Sequence, residues 1–377
     1  MRAIPDIVGW WRGLDRPLRR LPRWAAALVL ALTVALCVWS GPAEYHYGHR
    51  AVTDLHKRLK RGDRKDFDLY ETIDKRVAKG ESYWHAALAE QRATRFPTKP
   101  FVAVRLPTLA YGYALWGLVG WRVIALALWG VTLVGMIALL WRRVTWPERL
   151  AAAAAAGAIG TMAWQPKVGL SHEAIAGLFL SCALVLYRPG RWWPALLLAA
   201  CGLAVRELAL PFLVLWAAFA ASERRWREFG AVVAVIALFA VGMVLHAQAV
   251  AAERLPTDLT SEGWSGMQGL PFTLYGLMSV SSLGKVWWQL GAPLAVLPML
   301  GWAAIGGRQG LFAILWFAGY FLLTALFARQ VNFYWLSLVL PAYGAGLALV
   351  PRAVCDLVAA IRGRSRALND GSRVAER

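Results

Sequence analysis

Apolar runs of membrane-spanning length recur along the chain and are separated by short basic clusters. The runs fall near residues 24–40, 103–119, 121–141, 148–164, 172–187, 194–205, 208–221, 229–248, 286–306, 309–328 and 333–351. About 20 apolar residues in a helix cross the hydrocarbon core of a bilayer. The pattern predicts an all-α fold: a polytopic transmembrane bundle of about 10–11 helices that forms one multi-pass domain over residues 1–377.

Basic clusters predict the orientation of the chain. They lie beside the apolar runs at Arg16–Arg23, Arg142–Arg143, Arg188–Arg191, Arg224–Arg227 and Arg362–Arg366. Under the positive-inside rule both termini are cytoplasmic, with residues 352–377 as a tail, and the number of crossings is even. We therefore expect ten crossings, with segment 103–119 re-entrant or broken. If that segment spans instead, the basic stretch Arg142–Arg149 falls outside, against the rule.

Two short apolar runs, 194–205 and 208–221, are divided by Arg206 and Glu207. Arginines flank the pair on both sides, which predicts a helical hairpin with these two charges at its external tip. The alternative is one long buried helix with an internal ion pair. Charges at such a depth are costly and mark functional sites by default.

This topology places four regions outside: residues 41–102, the turn 165–173, the loop 249–285 and the turn 329–334. The first loop is predicted to contain two amphipathic helices lying on the membrane surface. Tyr70, Ile73 and Val77 share one helical face, and Gly80 suits the position after a helix end. Ser82 is the expected N-cap of a second helix that ends near Arg95.

Composition supports a membrane class and argues against nucleic-acid binding. Apolar residues make up 59% of the chain and charged residues only 17%, with a net charge of +19. The arginines are explained by cytoplasmic caps that also favour anionic lipid. The four cysteines, Cys37, Cys182, Cys201 and Cys355, lack metal-ligand spacing, and the three that lie inside apolar runs are interpreted as packing residues.

The first loop contains the acidic residues that are candidates for catalysis or metal binding. Asp68 and Glu71 have the D-x-x-E spacing of a capping box, which predicts Asp68 as a helix N-cap. Asp66 precedes that helix start and has no capping task, so it is a candidate acceptor for a hydroxyl proton. The D-x-D spacing of Asp66 and Asp68 also suits a divalent metal such as Mg²⁺ or Mn²⁺, which is left open.

The spacing of Asp66, Tyr70, Gly80 and Tyr83 resembles the first external loop of the GT-C superfamily of membrane glycosyltransferases. Residues 100–110, PFVAVRLPTLA, resemble the start of the second helix in that family. The hairpin broken at Arg206 and the last turn, with Arg329, Tyr334, Trp335 and Pro341, are similar to its later features. The soluble C-terminal domain of some members is not expected here, so acceptor recognition falls to the membrane module or a partner.

The resemblance implies transfer of a sugar from a polyprenyl-phosphate donor, as in mannosyltransferases, to an envelope glycan, lipid or protein. It implies a bacterial cytoplasmic membrane with the site facing the periplasm. Asp66 carries over as the base, with Asp68 second. Positive charge must meet the leaving phosphate, and the candidates for donor binding are Arg329, Arg206, Lys167 and Tyr334. Further site candidates are His172, Glu173, Glu207 and Tyr70, with Glu173 and His172 as the alternative base.

Three other classes remain open, one of which is a non-catalytic subunit. Intramembrane charges and a broken helix suit a transporter or flippase of lipid-linked substrates, although the sequence has no internal repeat. A ligase or polymerase of lipid-linked glycans would also fit, although such enzymes more often place their large external loop late in the chain.

Overall fold

The structure is a computed structural model that describes residues 7–60, 66–264 and 266–363, and these residues are predominantly helical. The α-helices are α1 (Ile7–Arg12), α2 (Arg23–Lys60), α3 (Asp66–Ala78), α4 (Tyr83–Ala93), α5 (Thr108–Leu139), α6 (Trp146–Ile159), α7 (His172–Leu186), α8 (Trp193–Val205), α9 (Leu210–Ser222), α10 (Trp226–Ala252), α11 (Gly269–Ser279), α12 (Trp288–Ala303), α13 (Gly307–Phe327), α14 (Leu340–Tyr343) and α15 (Val350–Ile361). Short 3₁₀ segments include Glu207–Ala209, Ser282–Lys285, Gln330–Leu338 and Gly344–Leu349. Within the described ranges, extended pairing is limited to one isolated bridge between Lys99 and Thr260.

Within the described part of the chain, five helical stretches are long and apolar enough to cross a membrane: Arg23–Ala51, Phe101–Leu139, Trp226–Ala252, Gly307–Phe327 and Leu340–Ile361. Three shorter helical stretches are also apolar: His172–Leu186, Trp193–Val205 and Glu207–Ser222. Large apolar side chains lie on the outside of the bundle, with Val38 72% and Leu238 73% exposed. Soluble monomers rarely expose so much contiguous apolar surface. These are the features of an all-helical integral membrane protein.

The predicted segments 103–119 and 121–141 belong largely to one element, α5. Its backbone leaves helical geometry at Gly117, with φ 67° and ψ −175°. Only glycine adopts this conformation at little cost. The nine residues from 108 to 116 rise about 14 Å, too little to cross a bilayer. Segment 103–119 therefore contains the short first part of α5, which is separated from the rest of the helix by the break at Gly117. This agrees with the prediction that the segment is re-entrant or broken.

The hairpin interpretation of residues 194–221 is confirmed. Helix α8 ends at Val205, and Arg206 is extended, with φ −149° and ψ 119°. Arg225, just after α9, donates hydrogen bonds to the carbonyl of Pro189 and to the hydroxyl of Tyr187, which lie just before α8. The chain thus returns to the end from which it started, and the alternative of one long helix is wrong.

Arginine-carboxylate pairs gather at one end of the bundle, which we call the basic end. They join α1 to the end of α9 (Arg12 to Glu223, 3.1 Å), α13 to the same residue (Arg308 to Glu223, 3.0 Å), α6 to α15 (Glu148 to Arg352, 2.8 Å) and the stretch before α2 to α15 (Arg16 to Asp356). The first loop, the turn 165–173 and the tip of the hairpin lie at the opposite end, the loop end.

The first loop differs in part from its prediction. The two expected helices are present as α3 and α4, and Gly80 lies between them at φ +92°. Residues 41–60, however, are helical and continue α2, so the loop does not begin at residue 41. Ser82 occupies the N-cap position of α4 without a capping side-chain hydrogen bond. The helix ends at Ala93 rather than near Arg95.

The loop is packed onto the bundle. Ile73 and Val77 of α3 are buried with Val104, before α5, and Val250 of α10. Arg92 of α4 binds Asp258, with 2.6 Å between Nε and Oδ1. This ion pair lowers the pKa of Asp258 to about 2. The first and second loops therefore form one cap over the loop end.

Two further expectations are corrected. The second loop, predicted over 249–285, contains helix α11, which no apolar run had indicated. The apolar run 333–351 consists of 3₁₀ turns and the single turn α14, since a continuous α-helix begins only at Val350. Residues 350–361 form α15 packed against α2 and α12, so the predicted tail does not start at 352. Its residues 364–377 lie outside the described part of the chain.

Cysteines at the two ends should be labelled from opposite sides of a membrane. Trp146 is 67% exposed beside the basic end, and the Glu262 side chain is 88% exposed at the loop end. In a Cys355→Ser background, we expect Trp146→Cys and Glu262→Cys to react with an impermeant maleimide from opposite faces of sealed vesicles. The unlabelled background protein is the control. Reaction of both positions from one face would contradict this topology.

Candidate functional site

Arg105 joins three separate regions at the loop end. Its Nε donates to the Tyr70 hydroxyl of α3 at 3.1 Å, and its Nη2 donates to the Tyr334 hydroxyl of the last turn at 3.1 Å. The same Nη2 lies 3.8 Å from Oε1 of Glu173, the second residue of α7. The Tyr83 hydroxyl of α4 donates to the Arg105 carbonyl at 2.7 Å. One side chain thus organises the whole site.

Arg206 meets the same glutamate from the tip of the hairpin. Its Nε donates to Glu173 Oε1 at 2.7 Å, and its Nη1 contacts Glu207. The Arg206 side chain is only 2% exposed. Buried charges are tolerated when they are paired and hydrogen-bonded. Arg105, Arg206, Glu173 and Glu207 therefore form what we call the buried ion network, with two positive and two negative formal charges.

Asp66 is the first residue of α3 and is half-buried beside this network. Burial raises the pKa of its carboxyl, while Arg105 acts to lower it and Glu173 to raise it. A carboxyl with a raised pKa is a stronger base once ionised. The structure thus brings Asp66 near Tyr70, Tyr334, Glu173 and Arg105.

Asp68 has a different environment from the predicted one. Because α3 already begins at Asp66, Asp68 lies inside the first turn and is not its N-cap, so the capping-box interpretation is wrong. Its side chain is exposed and lies 3.9 Å from Nζ of Lys167. Lys167 in turn binds Glu71 at 2.7 Å, and this hydrogen bond lowers the pKa of Glu71.

The predicted metal pair does not fit the geometry. Residues two apart on a helix point to different sides, and Asp66 is half-buried whereas Asp68 is exposed. No group of three or more histidine, cysteine, aspartate or glutamate side chains suited to a metal occurs within residues 7–60, 66–264 and 266–363.

His172 and Arg329 flank the site in different ways. The His172 ring is buried, and its centroid lies 5.2 Å from that of Tyr70 in an edge-on contact. Arg329 lies 3.6 Å from Glu262, and its buried Nε has no hydrogen-bond partner in the described part of the chain. No recorded contact among described residues joins Arg329 to the buried ion network.

Sequence reasoning missed the role of Arg105, which marked only the start of an apolar run. A cation within such a run is expensive unless it is paired. That cost was an available signal, but its partners come from four distant parts of the chain and no spacing rule connects them.

Comparison of the chain with protein-family models, with curated proteins and with solved structures finds no match.

Removing the cation at the hairpin tip should destabilise the fold strongly. Arg206→Met leaves Glu173 and Glu207 buried without their closest cation, and breaking such a pair costs about 3–5 kcal/mol. The matched control is Arg76→Met, because Arg76 also contacts two carboxylates but is 28% exposed. An exposed pair is worth about 1 kcal/mol or less. Unfolding in detergent by titration with denaturant measures both losses.

The double variant Arg206→Met/Glu173→Gln should recover part of the loss, because one uncompensated charge is then removed. Equal, small losses for Arg206→Met and Arg76→Met would refute a paired, buried network.

Proposed function

We propose that this protein is a membrane glycosyltransferase that moves a sugar from a polyprenyl-phosphate donor to an envelope glycan, lipid or protein acceptor on the external face. The observation that carries the proposal is the position of Asp66. It is a half-buried carboxylate with a raised pKa, placed where the first loop, α7, the hairpin tip and the last turn meet beside a membrane-embedded bundle.

The proposal includes ten crossings with both termini cytoplasmic. The end-to-end contacts support this count: α2, α5, α6, α7, α8, α9, α10, α12, α13 and the chain from 330 to 361 each lead from one end of the bundle to the other. Helices α8 and α9 have only 13 residues each, about 20 Å. Their shortness is consistent with a charged tip that lies at or just below the external surface.

The reaction is a displacement at the anomeric carbon of the donor sugar. A lone pair of the acceptor hydroxyl forms the new C–O bond, its proton passes to Asp66, and the bond to the lipid phosphate breaks. The phosphate leaves with the electron pair of that bond. Burial of Asp66 suits this task, since it raises the basicity of the carboxylate.

The leaving phosphate needs positive charge that carboxylates do not already satisfy. Arg206 is paired with both Glu173 and Glu207, so it is unsuited to bind the phosphate. Lys167 is paired with Glu71 and is unsuited for the same reason. Among the described residues, the one carboxylate that Arg329 pairs with is the exposed Glu262, at 3.6 Å. The Arg105 guanidinium donates its side-chain hydrogen bonds to two neutral hydroxyls, those of Tyr70 and Tyr334. We assign the phosphate to Arg105, with the Tyr334 and Tyr70 hydroxyls beside it, and keep Arg329 as the second candidate.

One observation favours a transporter as the second candidate. The Tyr320 hydroxyl of α13 is buried near Arg206, Glu173 and Glu207, yet it has no hydrogen-bond partner among the described residues. A buried polar atom of this kind is often satisfied by internal water, and a continuous water path would serve transport. Net movement of a lipid-linked sugar across proteoliposomes without sugar transfer would select this alternative.

Asp66 should be required for turnover, whereas Asp68 should not. Loss of a general base costs about 10²–10⁴-fold in rate, so Asp66→Asn is expected to lose turnover of a polyprenyl-phosphate sugar to that extent. The matched variant is Asp68→Asn, two residues along the same helix but exposed. Transfer or hydrolysis of a radiolabelled donor measures both, with the unfolding midpoint as the check on folding. An active Asp66→Asn variant would remove Asp66 from the mechanism, and loss in Asp68→Asn alone would redirect it.

The rise of kcat/KM with pH on the acid side of its profile should shift in opposite directions in the Glu173→Gln and Arg105→Gln variants. The base acts when ionised, so kcat/KM rises with pH through the raised pKa of Asp66. Glu173 raises that pKa and Arg105 lowers it. Glu173→Gln should therefore shift this rise to lower pH, and Arg105→Gln to higher pH. Structural damage alone would lower the amount of active enzyme without opposite shifts, so parallel or absent shifts would contradict Asp66 as the base.

A further inference from the structure

A polar cavity lies at the loop end, between the outer part of α2 and the start of α12. Its volume is about 450 Å³, within the range of small-molecule sites. It is lined by Glu44, Met278, Ser279, Gly284, Lys285, Val286, Trp287 and Trp288. None of these residues belongs to the Asp66 site.

The walls of this cavity are fixed by close packing. The Trp288 ring lies against Gly41 of α2, where an added Cβ would be 3.1 Å away, and its centroid is 5.1 Å from that of Tyr45. At Gly284 an added Cβ would lie 2.5 Å from the carbonyl oxygen of Met278, so only glycine fits this turn. The Ser281 hydroxyl accepts a hydrogen bond from the Leu283 N–H at 3.2 Å and caps the turn that carries Lys285.

Opposite charges line the cavity from different elements. Glu44 belongs to α2, and Lys285 ends the turn Ser282–Lys285. Neither forms an ion pair with any residue that the structure describes. Their charges therefore remain available to a ligand that carries both signs.

Apolar surface continues from the cavity. Trp287 is 78% exposed and Leu290, one turn into α12, is 61% exposed. Tryptophan is typical of the membrane interface, where headgroups give way to acyl chains. A ligand held at Lys285 and Glu44 would have its apolar part beside these side chains.

We propose that this cavity binds the headgroup of a zwitterionic phospholipid with a primary amine, of the phosphatidylethanolamine class. The phosphate meets Lys285 and the ammonium donates charge-assisted hydrogen bonds to Glu44. A quaternary ammonium has no N–H to donate, and an anionic headgroup without an amine would leave Glu44 uncompensated. The inference requires only that the chain is a membrane protein and is independent of the transferase chemistry.

Lipid retention by the whole protein tests this proposal. The protein is released from nanodiscs with equal phosphatidylethanolamine, phosphatidylcholine and phosphatidylglycerol, and the retained lipid is counted by native mass spectrometry. Wild type should retain phosphatidylethanolamine preferentially. Glu44→Gln should reduce the preference for phosphatidylethanolamine over phosphatidylcholine about tenfold, because this is roughly what the loss of a hydrogen bond to a charged group does to affinity. Lys285→Gln should reduce the retention of both phosphatidylethanolamine and phosphatidylcholine, because both carry the phosphate.

Lys79→Gln and Glu253→Gln are the controls, since they remove the same charges elsewhere at the loop end. Soluble phosphoethanolamine distinguishes a lipid site from a site for the free headgroup, and its equal retention would refute a lipid site. Absence of preference in wild type, or an unchanged preference in Glu44→Gln, would also overturn the proposal.

Discussion

The compensation of buried charge at Arg206 is the constraint on which the loop end depends. An arginine at the tip of a hairpin in an apolar bundle is stable only if carboxylates reach it. Glu207 is its chain neighbour, but Glu173 comes from α7, so the hairpin must pack against the start of that helix. Glu173 then attracts Arg105, which holds Tyr70 and Tyr334. Compensating one charge thus brings together five segments that are far apart in sequence: the hairpin tip, the start of α7, the stretch at Arg105, α3 and the last turn.

The basic end obeys the same rule with different residues. Glu228, at the start of α10, is buried and accepts from the Tyr187 hydroxyl at 2.9 Å while it pairs with Arg225 at 2.8 Å. Arg308 closes this cluster by lying over the Tyr187 ring, 4.0 Å from its centroid. Each end is therefore locked by a charge-compensated cluster, and the helices between them need only apolar packing. This division explains how helices as short as α8 and α9 keep a defined position.

The sequence predicted features that depend on local rules. Short apolar runs on either side of Arg206 indicated the hairpin, and Gly80 indicated a helix end that is present. Features set by tertiary contacts were not predictable in this way. The polar stretch 41–60 resembles a loop but continues α2, and α3 begins three residues earlier than a helix capped by Asp68 would. Arg105 lacked any motif, because its role is defined by partners that only the folded chain brings together.

In the proposed reaction, Arg206 and Arg105 differ in how readily each can turn to the phosphate of the donor. Moving Arg206 would strip both Glu173 and Glu207 of a close cation, which buried carboxylates do not tolerate. Arg105 donates to two neutral phenols and lies 3.8 Å from a glutamate that Arg206 already holds at 2.7 Å. If Arg105 moved away from Glu173, that carboxylate would still be paired with Arg206. In that proposal Arg206 is a fixed structural charge, and Arg105, which acts electrostatically on Asp66, is the cation that turns to the anion.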